Sequence, residues 1–202
     1  MTFTTSQKWT SFQVRQASPE RRKRTAIGSA YNQPLTRRGA LPGDIIYVTG
    51  ALGERALGYL DPSPETRRLR HEWRPHLKES HLLSEWGAVT AMLDISDGLL
   101  LDAYRLGQES GVTIHIDLSA IPLSDGSPHS PLLIDAALSG GEDYVLLFTA
   151  PPSVQPPLAV GAIKIGECQQ PSTQDGVESV VFLDGVPQDP RGYVHMMSES
   201  DS

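Results

Sequence analysis

Cys168 is the only cysteine among the 202 residues, which excludes an internal disulfide framework and any multi-cysteine metal site. A lone thiol suits a reducing compartment, and a cytoplasmic address is expected. Long apolar runs are also missing. Val145-Leu146-Leu147-Phe148 is typical, far short of the roughly 18 residues a membrane-spanning helix needs, so no membrane partner is expected. No stretch has the apolar core of a secretory signal. No GxSxG elbow occurs, so acyl transfer has no support. The glycine-rich Thr49-Gly50-Ala51-Leu52-Gly53 lacks both the dinucleotide-binding spacing and a phosphate-loop lysine. The six histidines show no zinc spacing, and His71, His76 and His81 put no two rings on one helical face. What remains is 22.0 kDa with 39% hydrophobic residues, enough to bury a core without staples. With 18 Gly and 16 Pro the chain must turn often, which excludes a coiled-coil rod.

Charge is unevenly spread. Residues 1–40 hold eight Lys/Arg against Glu20 alone, a net of +7; the rest has nine basic and 23 acidic residues, a net of −14. Residues 1–24 are rich in Ser, Thr and Arg and show no helical or strand period, which describes a basic, solvated tail. A transit peptide is the other reading of an acid-poor start. A nucleic-acid arm is disfavoured because Trp9 and Phe12 are not interleaved with the Arg21–Arg24 cluster.

Regular patterning begins near Ala26. Pro42-Gly43-Asp44 is a turn leading into a strand over Ile45–Thr49, and Ala51–Leu60 reads as a short helix. Leu82, Trp86 and Val89 recur at helical spacing and predict a helix over Glu79–Met92. A second helix is expected from Leu99 to about Gln108, with Leu99, Ala103 and Leu106 as its buried stripe and Ser110-Gly111 as its stop. Val112, Ile114 and Ile116 alternate with polar residues, as in a half-buried strand. Tyr144–Thr149, Ala162–Ile165 and Ser179–Leu183 complete the strands, and Asp184-Gly185 reads as a hairpin turn. The fold class is therefore α+β, a mixed sheet with helices packed over it.

Two acidic clusters can carry chemistry. Asp94 and Asp97 lie three apart at the mouth of a helix, where magnesium would find carboxylate ligands and its accompanying anion would find free amides. Equally, Ser96 and Asp97 can finish a turn by capping that helix. The second cluster is Ser139-Gly140-Gly141-Glu142-Asp143-Tyr144, just before an apolar strand. Paired glycines permit close approach or positive φ, and adjacent carboxylates point to opposite sides, so one can face a pocket while the other satisfies backbone. A tight turn is the plain alternative. Cys168 has no activating charges nearby in sequence and reads as a buried, inert thiol.

In order along the chain, Arg37-Arg38-Gly39-Ala40-Leu41-Pro42-Gly43-Asp44, Asp94-Ile95-Ser96-Asp97-Gly98-Leu99, Gly140-Gly141-Glu142-Asp143-Tyr144, Ile165-Gly166-Glu167 and Gly192-Tyr193-Val194-His195 resemble the thiamine-monophosphate kinase family. That family belongs to the superfamily of aminoimidazole ribonucleotide synthetase. The resemblance runs over residues 25–197, with 198–202 as a short tail, and corresponds to the family's C-terminal domain. It implies an α/β/α-layered, partly ferredoxin-like fold and ATP-dependent phosphorylation of thiamine monophosphate to thiamine diphosphate. By resemblance, Asp94 and Asp97 would be magnesium ligands and Arg37 and Ser96 would contact ATP. Glu142 would hold the pyrimidine end of the substrate, and Tyr193 would pack on its ring. The sequence departs from the family at Lys78, where Arg is common, and at Tyr193, where Trp is frequent. The family's N-terminal domain, with its Gly-Asp-Asp metal cluster, has no counterpart here. A half-built site is expected, weak or inactive unless a homodimer or a complementing N-terminal domain completes it. The alternative is a non-catalytic module that binds thiamine phosphate or a partner.

Overall fold

Among the described residues, seven short strands pair into one mixed sheet. The strands are β1 (Ile45–Val48), β2 (Ala91–Asp94), β3 (Thr113–Ile116), β4 (Leu146–Ala150), β5 (Ile163–Gln169), β6 (Val181–Leu183) and β7 (Val186–Gln188). Their spatial order is β2-β4-β1-β5-β3-β6-β7. All neighbours are antiparallel except β3 and β6, which run parallel. The helices are α1 (Glu54–Leu60), α2 (Leu77–Trp86), α3 (Leu99–Ser110) and α4 (Pro131–Ser139). The computed structural model describes residues 33–60, 74–123, 131–171 and 180–192. The expected basic tail and Tyr193 lie outside them.

Strand alternation sorts the core into two layers. Ile46, Val48, Leu147, Ile114, Ile116 and Ile165 face α3 and α4 in the larger cluster, which also takes Leu99, Leu100, Ala103 and Leu106. Tyr47, Phe148 and Ala150 face the other way, onto Leu82, Leu83 and Trp86 of α2. There the Tyr47 and Phe148 rings stack at 5.2 Å between centroids. Helices therefore cover both faces, the expected α/β/α layering. The stripe foreseen on α3 is fully buried, and each leucine in it contributes about 1.5–3 kcal/mol. Asp184 and Gly185, at φ 49° and 78°, make the expected hairpin turn between β6 and β7.

Three expectations need correction. The helix expected over Glu79–Met92 stops at Trp86, because Gly87 takes φ 71° and its N–H closes on the Leu83 carbonyl. Ala91–Asp94 is then strand β2, paired with β4 from Ala91↔Thr149 to Asp94↔Leu146. The first helix begins at Glu54 rather than Ala51, since Gly53 sits at φ 86°. Two elements, α4 and the short Pro187-containing β7, were not foreseen from sequence.

The Pro42-Gly43-Asp44 turn is tied to the sheet edge by a buried polar chain. Asp44 Oδ2 accepts from Leu41 N–H at 2.9 Å and from the Thr90 hydroxyl at 2.6 Å. Thr149 donates to the Thr90 oxygen at 2.6 Å and accepts from Ala91 N–H at 3.1 Å. Asp44 is 3% exposed, so its loss strands donors away from water. Asp44→Ala should lower the unfolding free energy by about 1–3 kcal/mol. Urea denaturation checks this, and an unchanged midpoint would contradict it.

Candidate active site

At its C-terminal end β2 passes into Ile95-Ser96-Asp97, and this segment extends the pairing with the chain that enters β4. Ile95 N–H donates to the Val145 carbonyl at 2.9 Å, Tyr144 N–H to the Ile95 carbonyl at 2.8 Å, and Glu142 N–H to the Ser96 carbonyl at 2.8 Å. The two acidic clusters, some 45 residues apart in sequence by these pairings, are thus neighbours in space. Glycine is needed at Gly141, which takes φ 70° and where a Cβ would sit 2.6 Å from the Ser96 carbonyl oxygen. Glu142 and Tyr144 hold φ of 61° and 54°, a left-handed conformation that costs L-residues about 1–3 kcal/mol. The expected close approach by paired glycines is therefore observed.

The capping expectation is overturned. The N-cap of α3 is Gly98, at φ 118°, and no side chain caps it in the usual way. Asp102, the fourth residue of the helix, instead reaches back to the loop before it. Its Oδ2 accepts from the amides of Ser96 at 3.0 Å and Asp97 at 2.9 Å, and the residue is 1% exposed. Burial raises its carboxyl above the usual range, while those amides and Arg105 pull it down. Arg105 Nη1 donates to Asp102 Oδ1 at 2.7 Å and also to Asp97 Oδ2. The Asp97 hydrogen bond, foremost, holds the guanidinium above its ordinary value. Sequence reasoning passed over Arg105, although its three-residue spacing from Asp102 on one helix face was visible.

Of the two adjacent carboxylates, Asp143 satisfies backbone, as was expected of one of them. Glu142 is half-buried, while Asp143 turns inward, where its Oδ2 accepts from Gly53 N–H at 3.0 Å ahead of α1. Burial pushes the Asp143 carboxyl up to about 7, against the opposing amides of Gly53 and Arg55. The Arg55 guanidinium lies 5.8 Å from the centroid of the Tyr144 ring, a cation–π distance. On the β1 side of this end, Thr49 N–H donates to the Leu146 carbonyl, and Leu146 is the register partner of Asp94. Asp94, Leu146 and Thr49 therefore stand in a row on one face. His76, dismissed from sequence, joins that row through a 3.0 Å hydrogen bond between its Nδ1 and the Thr49 hydroxyl. Burial lowers the His76 pKa, with Glu79 opposing.

Of the residues singled out from sequence, Asp94, Ser96, Asp97 and Glu142 come together. Arg37 lies toward the start of β2: its carbonyl accepts from the Ser110 hydroxyl at the end of α3, and the neighbouring Thr36 carbonyl accepts from Met92 N–H, two residues before Asp94. Tyr193 lies outside the described residues. Its neighbour Gly192 packs on the Asp97 carbonyl and on Leu101, too tightly for any side chain. Cys168 is buried, with its thiol pushed up to about 12 by burial, as its inert reading requires. No group of three or more His, Cys, Asp or Glu side chains forms a metal cluster among the described residues. Asp94 and Asp97 nevertheless offer two carboxylates, a donor type that suits magnesium, which takes one or two carboxylates and completes its shell with phosphate and water.

No family model matches the chain. Among curated proteins it is 35% identical over 163 residues to the thiamine-monophosphate kinase of Methanospirillum hungatei, covering 81% of this chain and 54% of that one. To the Escherichia coli K12 enzyme of that name it is 35% identical over 179 residues, covering 80% and 55%. The chain is a relative of the thiamine-monophosphate kinases. It spans about half the length of the curated kinases it matches. A solved structure of AaThiL complexed with AMPPCP and TMP superposes with a TM-score of 0.66 at 32% identity, covering 80% of this chain and 54% of that one. Hydrogenase maturation protein HypE, at 16% identity and a TM-score of 0.57, shares the fold alone. The kinase relatives and HypE place the sheet in the aminoimidazole ribonucleotide synthetase-like fold.

Asp143 generates a pH-dependent prediction. In the folded chain its carboxyl titrates at about 7, and in the unfolded chain at about 3.9. Between those values the native state holds the proton and the unfolded state does not. Stability from this group is fully present below about pH 4 and is lost as pH rises through about 7. Asp143→Asn keeps an acceptor for Gly53 but cannot ionise. Its stability relative to wild type should therefore climb from about pH 4 to about pH 7 and then level off. Urea midpoints of both chains across that range measure the margin, and a margin independent of pH would contradict the assignment.

Proposed function

We propose that this chain is the C-terminal half of a thiamine-monophosphate kinase and serves ATP-dependent phosphorylation of thiamine monophosphate to thiamine diphosphate. The observation that carries the reading is the backbone pairing of Ile95 and Ser96 with Glu142, Tyr144 and Val145, between the candidate cation ligands and beside the candidate substrate carboxylate. The kinship with proteins of that name, one solved with AMPPCP and TMP, supports it.

In this reading Asp94 and Asp97 hold magnesium, and Ser96 contacts ATP. Glu142 binds the pyrimidine end of thiamine monophosphate, whose cationic thiazolium also favours a carboxylate and the aromatic Tyr193. Arg37, beside the start of β2, also contacts ATP. A phosphate oxygen of the substrate forms the new P–O bond as the bond to ADP breaks. Such transfer requires in-line positioning and charge neutralisation rather than a covalent nucleophile. Magnesium supplies the neutralisation when bound. The residues of this chain orient the two phosphates and hold water off one side.

In this reading its partner is a complementing N-terminal domain or a second copy, acting in the cytoplasm. The second reading is a module that binds thiamine phosphate without turning it over. Thiamine diphosphate formation, measured with the chain alone and then with a separately expressed N-terminal half of a relative, separates them. We expect turnover only in the mixture, reduced at least about 100-fold by Asp94→Asn. No turnover in the mixture would reject the kinase reading. By calorimetry, Glu142→Gln should weaken thiamine monophosphate binding at least about tenfold, and unchanged affinity would remove Glu142 from the site.

A further inference from the structure

Asp97 is already partnered. Arg105 Nη1 donates to Asp97 Oδ2 and to Asp102 Oδ1, so one guanidinium bridges the loop carboxylate and the buried helix carboxylate. The two acids differ in what else supports them. Asp102 keeps the amides of Ser96 and Asp97 whatever Arg105 does. The Asp97 side chain is 19% exposed and the Arg105 side chain 35% exposed, so the outer half of the bridge meets water while the inner half does not. A cation arriving from solvent thus reaches Asp97 without unpacking α3, and Arg105 can leave Asp97 while keeping Asp102.

We propose that Arg105 is a built-in counter-cation of this site, competing with a divalent metal for Asp97 and setting how tightly the metal is held. The proposal rests on the reading of Asp94 and Asp97 as cation ligands. Two positive centres cannot share one carboxylate at contact distance without strong repulsion in a half-buried setting. Arg105 occupies Oδ2 of Asp97, so a metal on that carboxylate must displace the guanidinium or bear its repulsion, and either way its apparent affinity is reduced. With the arginine in place the bare chain binds divalent ions weakly, and the site discriminates against any cation that does not bring its own anion.

The test is manganese(II) binding, followed by calorimetry and by the paramagnetic signal of the free ion, with no turnover involved. Arg105→Gln should bind manganese at least about tenfold more tightly than wild type. Arg105→Lys, which keeps the charge, should stay within a few-fold of wild type. Adding Asp97→Asn to Arg105→Gln should abolish the gain. Circular dichroism establishes that each variant is folded, and the backbone amides that still hold Asp102 favour that. Equal or weaker binding by folded Arg105→Gln overturns the proposal while leaving the cation site standing, provided wild-type binding is lost in Asp94→Asn. A gain that survives Asp97→Asn overturns it too, since Arg105 would then act through general charge. Absence of saturable binding in both wild type and Arg105→Gln overturns the cation site and the proposal together.

Discussion

Three backbone hydrogen bonds, joining Ile95, Ser96, Tyr144, Val145 and Glu142, hold the functional end of this molecule together. They extend the β2–β4 ladder past its regular end, and every other feature of the site follows from that extension. Gly141 is required because the crossing leaves no room for a side chain beside the Ser96 carbonyl. The left-handed Glu142 and Tyr144 are the strain the crossing imposes, and strain of that kind persists only where surrounding structure over-determines it. Here Asp143, anchored on Gly53 N–H, is part of what over-determines it.

Electrostatics then shapes what the crossing has assembled. The loop from Asp94 to Gly98 would be a string of unsatisfied amides and mutually repelling carboxylates. Asp102 answers the amides from within α3, and Arg105 answers the carboxylates. The acidic loop is thereby ordered before any ligand arrives. If this loop binds a metal as proposed, the organised site loses less freedom on binding than a loop that folds around its metal, at the cost of the Arg105 salt bridge.

Much of this was legible in the sequence. The stripe of α3, the Asp184-Gly185 turn and the inert Cys168 each depend on local chemistry within a few residues, and each came out as read. That one of the two adjacent carboxylates satisfies backbone was legible too, although Asp143 does so beside left-handed Glu142 and Tyr144 rather than on extended chain. What failed depends on competition between local signals or on distant partners. Val89 shares helical spacing with Leu82 and Trp86, so β2 was hidden until Gly87 is seen in its left-handed conformation. Helix α4 begins at a proline behind a Ser/Pro-rich stretch, and its start was masked as loop. The bond from Arg105 to Asp97 spans eight residues across a loop and a helix turn, and no periodic pattern marks it. The place of Arg37, between the end of α3 and the start of β2, depends on the Ser110 and Thr36–Met92 hydrogen bonds, which no local pattern marks.

The central claim is that the two acidic clusters act as one binding surface at one end of the sheet. Backbone amide NMR spectra of the chain, recorded while magnesium and AMPPCP are added together, test it most directly. The account predicts that the amides of residues 94–99 and 141–145 shift in concert with a single affinity. Shifts confined to one cluster, or centred elsewhere on the sheet, would contradict it.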